Sequence, residues 1–503
     1  MGTVPHSGLR AMKMQEATFE SPFLAFAIFS VLVLGALLSV VFQSSGLFLL
    51  ILCATIVPLV GALYPPIVLA LFLFFNLLFP KLPLIEIKDY LVPIRIEDVL
   101  LAGGLFAVLL RNLIYREKPA RNPVKRWMVV FSVVTGLSFL FGLFILRSVP
   151  GAKIGFLYWL RAPEYFAGSY LCLLGVTSWK HYRQMIVAFI VCVSLIGVYG
   201  ILQELSLVPI FDAMHISGEI VVVRFFERFG EERLFSTFAG PYDLAAFYLV
   251  AIPICISFWP AISSRVAKLF LGAVLALSAV CFYLTYARSP LVAMPVVLFI
   301  NLLLLGKRRI GIVLGFLCIL PALFITGFKE RLIYAADDPL ATYALGGRLQ
   351  LGWADAFNAI SRSPLLGTGP ASLFQGMGVD CLYLMLLGIW GILGLTSFAI
   401  LVLKVIGYQR HTIATSQNKL ERALAIGLCS GTVGLLINGL TVDSFYISKV
   451  AFLYWFLMGL LFAGSVLERQ IPPRREKLAE RTSQKTSSTV LRTGRLAPTA
   501  GDA

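Results

Sequence analysis

The sequence predicts an all-α fold: a polytopic bundle of about 14 transmembrane spans, within a range of 12–14, with a long extracytoplasmic loop carrying amphipathic helices. Three observations predict it. The 503 residues are 59% hydrophobic and 14% charged, whereas soluble domains carry about 25% charged residues, so this chain lacks the polar groups to cover a globule in water. Apolar runs of roughly 20 residues recur from Pro22 to Leu467, each long enough to cross a bilayer as a helix. With both termini placed in the cytoplasm, the cytoplasmic segments hold 27 of the 42 Lys and Arg but 8 of the 26 Asp and Glu. That asymmetry has the sign of the positive-inside rule.

Taken in order, the expected spans are 22–42, 46–62, 66–80, 99–114, 127–146, 164–178, 184–203, 241–259, 266–286, 289–306, 310–328, 380–403, 422–441 and 450–467. The first is too long for a secretory signal and lacks its small-residue cleavage site, so it reads as retained. Residues 1–21 are then a cytoplasmic tail, 22–467 the membrane domain, and 468–503 a basic, disordered cytoplasmic tail. "REKPARNPVKR" (116–126) and "GKRR" (306–309) are the other inside anchors. The net charge of +16 is accounted for by this topology and gives no indication of a nucleic-acid partner, although the tail can touch anionic lipid head groups.

The polar sequence gathers in external segments 81–98, 204–240 and 329–379. In "GGRLQLGWADAFNAISRSPLLGTG" (346–369), Leu349, Trp353, Ala356 and Ile360 recur at helical spacing. This suits an amphipathic helix at the interface, followed by a Gly/Pro-rich turn. Any chemistry is therefore expected on the outer face. The eight cysteines lie singly, with no CxxC, and there is no P-loop, so no metal site, disulfide or cofactor is expected.

Arg288, in "YLTYARSPLVAMPVVLFI", poses the sharpest question. An arginine at a bilayer centre costs at least about 2.5 kcal/mol. The apolar run Leu269–Gly306 is about 38 residues long and basic at both flanks. Both flanks are therefore inside, and the run must be a hairpin with Arg288 at its outer turn; Ser289-Pro290 then begins the next helix. Arg233 in "EERLFSTFAGPYDLAAFYLV" and Arg348 in "GGRLQ" share that setting. A guanidinium fork suits bidentate phosphate recognition, and at a membrane surface the phosphate is a lipid head group or lipid diphosphate. Taken singly, each arginine is more simply read as snorkelling or pairing with a local acid such as Glu231 or Glu232.

Other candidates lie nearby. Asp380, at the start of a span, is either a general base for a hydroxyl or an acid capping the helix start, where the dipole favours it. Arg161 and Glu164 at one outer span start, like Arg95, Glu97 and Asp98 at another, either form local ion pairs or line a sugar groove. Tyr242, Trp159, Tyr165 and Trp353 are either sugar-stacking rings or interfacial aromatics.

Several stretches carry a family resemblance. "ERLFSTFAGPYDLAAFYLVAIPI" resembles the R-x-x-G-T-F-x-N-P-N-x-L-A pattern of the O-antigen ligase and polysaccharide polymerase superfamily, and "YARSPLVAMPVVLFI" its S-R-G/S hairpin. "RLQLGWADAFNAISRSPLLGTGPASLF" followed by "GVDCLYLMLLGIWGILGLTSFAIL" resembles its R-x-x-x-W-x-x-A, P-x-x-G-x-G and G-x-x-G-L block. "RIEDVLLAGGLF" and "LRAPEYFAGSYL" have weaker counterparts, and the resemblance runs from about residue 90 to 465.

The resemblance implies a metal-independent glycosyltransferase at the outer leaflet of the bacterial inner membrane. Such an enzyme transfers glycan from undecaprenyl diphosphate to an acceptor glycan or glycolipid, and other polysaccharide export or chain-length proteins are natural partners. It also implies that Arg233, Arg288 and Arg348 bind the lipid diphosphate, with Arg288 at the chemistry; Asp380, which the family pattern does not supply, is the candidate base beside it. Tyr242, Asp243, Arg161 and Glu164 would meet sugar. Two departures bear on the acceptor: ligases place "HN" where this chain has Val379-Asp380-Cys381, and "N-P-N" becomes Gly240-Pro241-Tyr242-Asp243. His215 matches no motif. The missing "HN" turns the expectation toward an exopolysaccharide or O-antigen polymerase, with a ligase acting on lipid A core as the alternative. A lipid-linked oligosaccharide flippase is the rival of another class, and an inactive assembly protein a third reading. With no Asp, Glu, Lys or Arg expected near a span centre, transport through the membrane is the weaker of these.

Overall fold

The structure, a computed structural model, describes residues 57, 60–61, 63–79, 83–85, 94–115, 121–208, 215–216, 219–220, 233–317, 352–373 and 379–469. Its helices are α1 (Pro65–Leu78), α2 (Ile96–Tyr115), α3 (Lys125–Phe144), α4 (Ala152–Gly175), α5 (Trp179–Glu204), α6 (Pro241–Phe258), α7 (Arg265–Leu284), α8 (Arg288–Leu304), α9 (Arg308–Leu317), α10 (Trp353–Arg362), α11 (Leu382–Thr415), α12 (Lys419–Asn438) and α13 (Ser448–Arg469). Two short antiparallel ladders, Pro83–Ile85 with Ile94–Arg95 and His215–Ile216 with Glu219–Ile220, fall in expected external segments and were not anticipated from sequence.

Seven of the described helices are long and apolar enough to cross a membrane by length and composition, and α1 and α8 are shorter apolar helices. The chain is therefore a membrane protein of helical architecture. The expected spans 66–80, 99–114, 127–146, 184–203, 241–259, 266–286, 289–306, 422–441 and 450–467 each coincide with one helix to within five residues. Those at 22–42 and, apart from isolated positions, 46–62 lie outside the described residues, and 310–328 is described only to Leu317.

Two expectations need correction. Helix α4 begins at Ala152, not 164, and runs through Pro163, so Arg161 and Glu164 lie inside a helix instead of at its mouth. Helix α11 continues to Thr415, which puts Lys404 within it; its ammonium lies 5.6 Å from the Trp127 ring centroid. Charged residues thus lie inside helices whose ends were expected to exclude them.

Burial orders the bundle. In α6 and α13, 78% and 89% of the apolar window is buried, against 33% in α3 and 28% in α7, so the first pair is central and the second faces lipid. Close approach at the centre depends on small residues: a Cβ added to Gly427 of α12 would lie 2.5 Å from the Ile254 Cα of α6. Successive helices alternate direction. Tyr64 before α1 meets His181 and Gln184 at the start of α5, and Glu468 of α13 accepts from the Asn418 N–H ahead of α12. These contacts mark one end of the bundle, which also carries Lys125, Arg126, Arg183, Arg265 and Lys307–Arg309. The opposite end carries Arg233, Arg288, Asp380 and Lys449.

Two local features shape that opposite end. Helices α7 and α8 flank Thr285–Ala287 as the hairpin reading expects, but α7 packs mainly on α5 and α6 while α8 packs on α6, α9 and α12. The turn is therefore splayed over the start of α6. Helix α11 is broken at Gly391 (φ 67°, ψ −173°), and its first segment runs from Gly439, which accepts from the Leu382 N–H, to Tyr446, which meets Trp390.

Candidate active site

The connector 233–240 presents Arg233 just before α6. The guanidinium Nε donates to the Thr285 carbonyl at 2.8 Å, and its carbon lies 4.5 Å from the Tyr242 ring centroid, a cation–π distance. The connector is fixed on three sides. Leu234 N–H donates to the Leu284 carbonyl; Gln203 Oε1 accepts from Phe235 and Ser236 N–H; and Thr237 Oγ1 donates to the Leu77 carbonyl. Ser236 and Tyr286 have φ of 51° and 49°, so two of the five left-handed non-glycine residues described lie in the connectors that carry Arg233 and Arg288. Such outliers persist only where surroundings over-determine them.

Arg233 is 6% exposed. Burial pushes its guanidinium below the ordinary value; the Tyr242 side chain opposes that shift, and the charge of Arg288 adds to it. Thr285, whose carbonyl Arg233 holds, lies three residues before Arg288, so the two arginines share one end of the bundle.

Arg288 is half-buried at the first turn of α8. Its neighbour Ser289 donates to Asn438 Oδ1 at 3.0 Å, and Asn438 Nδ2 donates to Ser444 Oγ at 2.8 Å. The next residue, Gly439, accepts from Leu382 N–H at 2.9 Å, which brings the exposed Asp380 to the same end of α12. The N-cap of α11 is Cys381, with no side-chain capping hydrogen bond, and Asp380 precedes it by one residue at the positive end of the helix dipole. Asp243, in the first turn of α6, and Tyr242 are half-buried beside Arg233. Arg348 lies outside the described residues.

A second group forms between α2 and α4. Arg161 Nη1 lies 3.0 Å from Asp98 Oδ1 and 2.8 Å from Glu164 Oε2, and all three side chains are 14–17% exposed. Asp98 also accepts from the Arg95 N–H, while Arg95 Nη1 donates to Ser448 Oγ at 3.1 Å. The local ion-pair reading is thus realised, though across two helices. Tyr165 packs edge-on against Phe452 and donates to the Tyr446 carbonyl. Trp159 instead lines an apolar groove of about 760 Å³ between α3 and α4, with Val133, Leu137 and Phe166. It faces away from the charges. Trp353 heads α10, whose Ala356 and Ala359 are buried and Phe357 exposed, so that helix is amphipathic as expected.

Sequence reasoning missed the link between these groups, the segment Asn438–Lys449. Within it Asn438 serves the Arg288 side, Tyr446 meets Tyr165 and Trp390, and Ser448 holds Arg95. Lys449, 1% exposed, donates to the carbonyls of Leu77, Phe79 and Thr237. A lysine directly before an apolar run reads as a flanking charge, and nothing local distinguishes it from one. Among the described residues no group of three or more His, Cys, Asp or Glu is placed to hold a metal ion, and the two carboxylates that converge in this group, Asp98 and Glu164, already share Arg161.

Residues 273–399 match the family model described as O-antigen ligase. The match includes Arg288, Arg348, Asp380 and the break at Gly391; Arg233, Tyr242, Asp243, Arg161 and Glu164 lie outside it. No curated protein matches the chain.

Proposed function

We propose, from the premise that this chain is an O-antigen ligase-like membrane protein, that it joins undecaprenyl-diphosphate-linked glycan to an acceptor sugar at the outer face of the bacterial inner membrane. The observation that supports this reading is the placement of Arg233 and Arg288 on separate connectors at one end of the bundle: Arg233 stacks on Tyr242 and donates to the Thr285 carbonyl, three residues before Arg288. That end lies opposite the basic one, so the positive-inside rule turns it outward.

The chemistry then follows. The acceptor hydroxyl oxygen attacks the anomeric carbon, the bond from that carbon to the diphosphate oxygen breaks, and its electron pair stays on the departing lipid diphosphate. Arg233 and Arg288, with Arg348, stabilise that growing negative charge, the task a metal ion performs elsewhere. The hydroxyl proton passes to a base, and Asp380, exposed beside the end of α12, takes that role. Tyr242, Asp243, Arg161 and Glu164 contact sugar.

With Asp380 where ligases carry "HN", the acceptor is another lipid-linked repeat unit, and the enzyme an exopolysaccharide or O-antigen polymerase. The family description favours a second reading, a ligase acting on lipid A core. Purified protein in lipid nanodiscs, given lipid-diphosphate-linked repeat units with or without lipid A core, decides between them. Longer glycan supports the polymerase and core-linked glycan the ligase. Wild-type product from Arg288→Ala overturns the catalytic assignment, and altered leaflet accessibility without a new glycosidic bond indicates a flippase.

A further inference from the structure

Lys449 is an ammonium buried to 1% exposure at the first turn of α13, and its described hydrogen-bond acceptors are three carbonyl oxygens. Two of them, Leu77 at 3.2 Å and Phe79 at 2.8 Å, belong to the C-terminal end of α1. A cation there meets the negative end of the helix dipole, which offsets part of the desolvation of the charge. A lysine that only capped α1 would need nothing more.

The third acceptor is the carbonyl of Thr237, on the connector that carries Arg233, and the ammonium also lies 5.1 Å from the ring centroid of the adjacent Phe238. Thr237 Oγ1 returns a hydrogen bond to the same Leu77 carbonyl. An ammonium has three N–H donors, and here three carbonyls from two separate chain segments converge on it. The far end of the connector, Arg233 to Ser236, is held by α7 and α5. The near end, Thr237 and Phe238, is held by Lys449 and α1.

We propose that Lys449 is a positioning residue for Arg233: its charge pins the Thr237 carbonyl and so fixes the connector from which Arg233 reaches the Thr285 carbonyl and the lipid diphosphate. The catalytic part of this inference rests on the proposed function; the positional part does not.

The test uses the full-length protein in nanodiscs with Lys449→Met, which keeps chain length and removes the charge. Hydrogen exchange of the peptide spanning 234–238 rises at least tenfold, while α13 from Phe452 onward keeps its protection. Transfer from the lipid-diphosphate donor falls at least tenfold. In the Arg233→Ala background the same substitution lowers transfer less than twofold further, because the residue it positions is gone. A full, multiplicative loss in the double variant, or unchanged exchange at 234–238, overturns the proposal. If wild-type protein transfers no glycan, the functional reading fails and the exchange result still judges the positional claim. Should Lys449→Met not be recovered folded, Lys449→Gln, which removes the charge but keeps N–H donors, is read the same way: exchange at 234–238 rises, and unchanged exchange overturns the proposal.

Discussion

Gly367 and Gly391 face each other with no room between them for a side chain. A Cβ on Gly391 would lie 2.2 Å from the Leu365 carbonyl oxygen, and one on Gly367 would lie 2.3 Å from that of Ile389. Both have φ near +70°, a conformation costly to other residues. The contact lets the loop 364–369 enter the break in α11. Gly369 N–H donates to Ile389, Thr368 N–H to Gly388, Ile392 N–H to Pro364 and Leu393 N–H to Leu365. Backbone groups freed by the break are thereby satisfied within the protein, as membrane burial demands.

Gly391→Ala is accordingly expected to cost more than the left-handed penalty of about 1–2 kcal/mol, since overpacking adds to it. Thermal unfolding in detergent, followed by size-exclusion chromatography, checks this. An unchanged midpoint would show that the loop does not depend on the break.

Arg288→Ala is expected to lower transfer by about 10²–10³-fold, the range seen when one donor to a developing oxyanion is removed. Protein yield should stay unchanged, because Arg288 is half-buried at the end of a helix. Single-turnover rates with lipid-linked donor provide the measurement.

Tyr242→Leu removes the face on which Arg233 rests, a contact worth about 0.5–2 kcal/mol. Donor KM is expected to rise about twofold to thirtyfold by the same estimate. Tyr242→Phe keeps the ring but loses the hydroxyl and should fall between wild type and Tyr242→Leu.

Asp380→Asn separates a base from a merely polar neighbour. Loss of a general base lowers kcat by about 10²–10⁴-fold with the fold intact. A kcat within twofold of wild type would remove Asp380 from the chemistry.

Arg161→Ala leaves Asp98 and Glu164 facing each other with 14% and 17% exposure. Breaking such a buried pair on one side costs about 3–5 kcal/mol, so loss of folded protein is expected, and Asp98→Asn with Arg161→Gln together should recover part of it. Fluorescence-detected size exclusion reads the folded fraction.

Properties that each residue carries locally were legible along the chain. Hydropathy along the chain located nine helices to within five residues, and the basic flanks of Leu269–Gly306 put Arg288 at a turn. Helical spacing found the amphipathic Trp353–Arg362. Boundaries failed where a helix continues past polar residues, as α4 does at Arg161 and Glu164, because the Arg161 charge is met both by Glu164 and by Asp98 from another helix, which no window along the chain can contain. Lys449 is the clearest case. Its sequence neighbourhood is that of any span-flanking lysine, yet the crossing of α1, α13 and the connector 233–240 buries it among carbonyls from residues 77, 79 and 237. Membrane insertion is decided by the free energy of each segment against lipid, and the sequence carries that segment by segment. Placing Arg233 against Tyr242, Thr285 and Arg288 depends on which helices pack together, an energy spread over contacts between distant residues, and only the tertiary structure decides it.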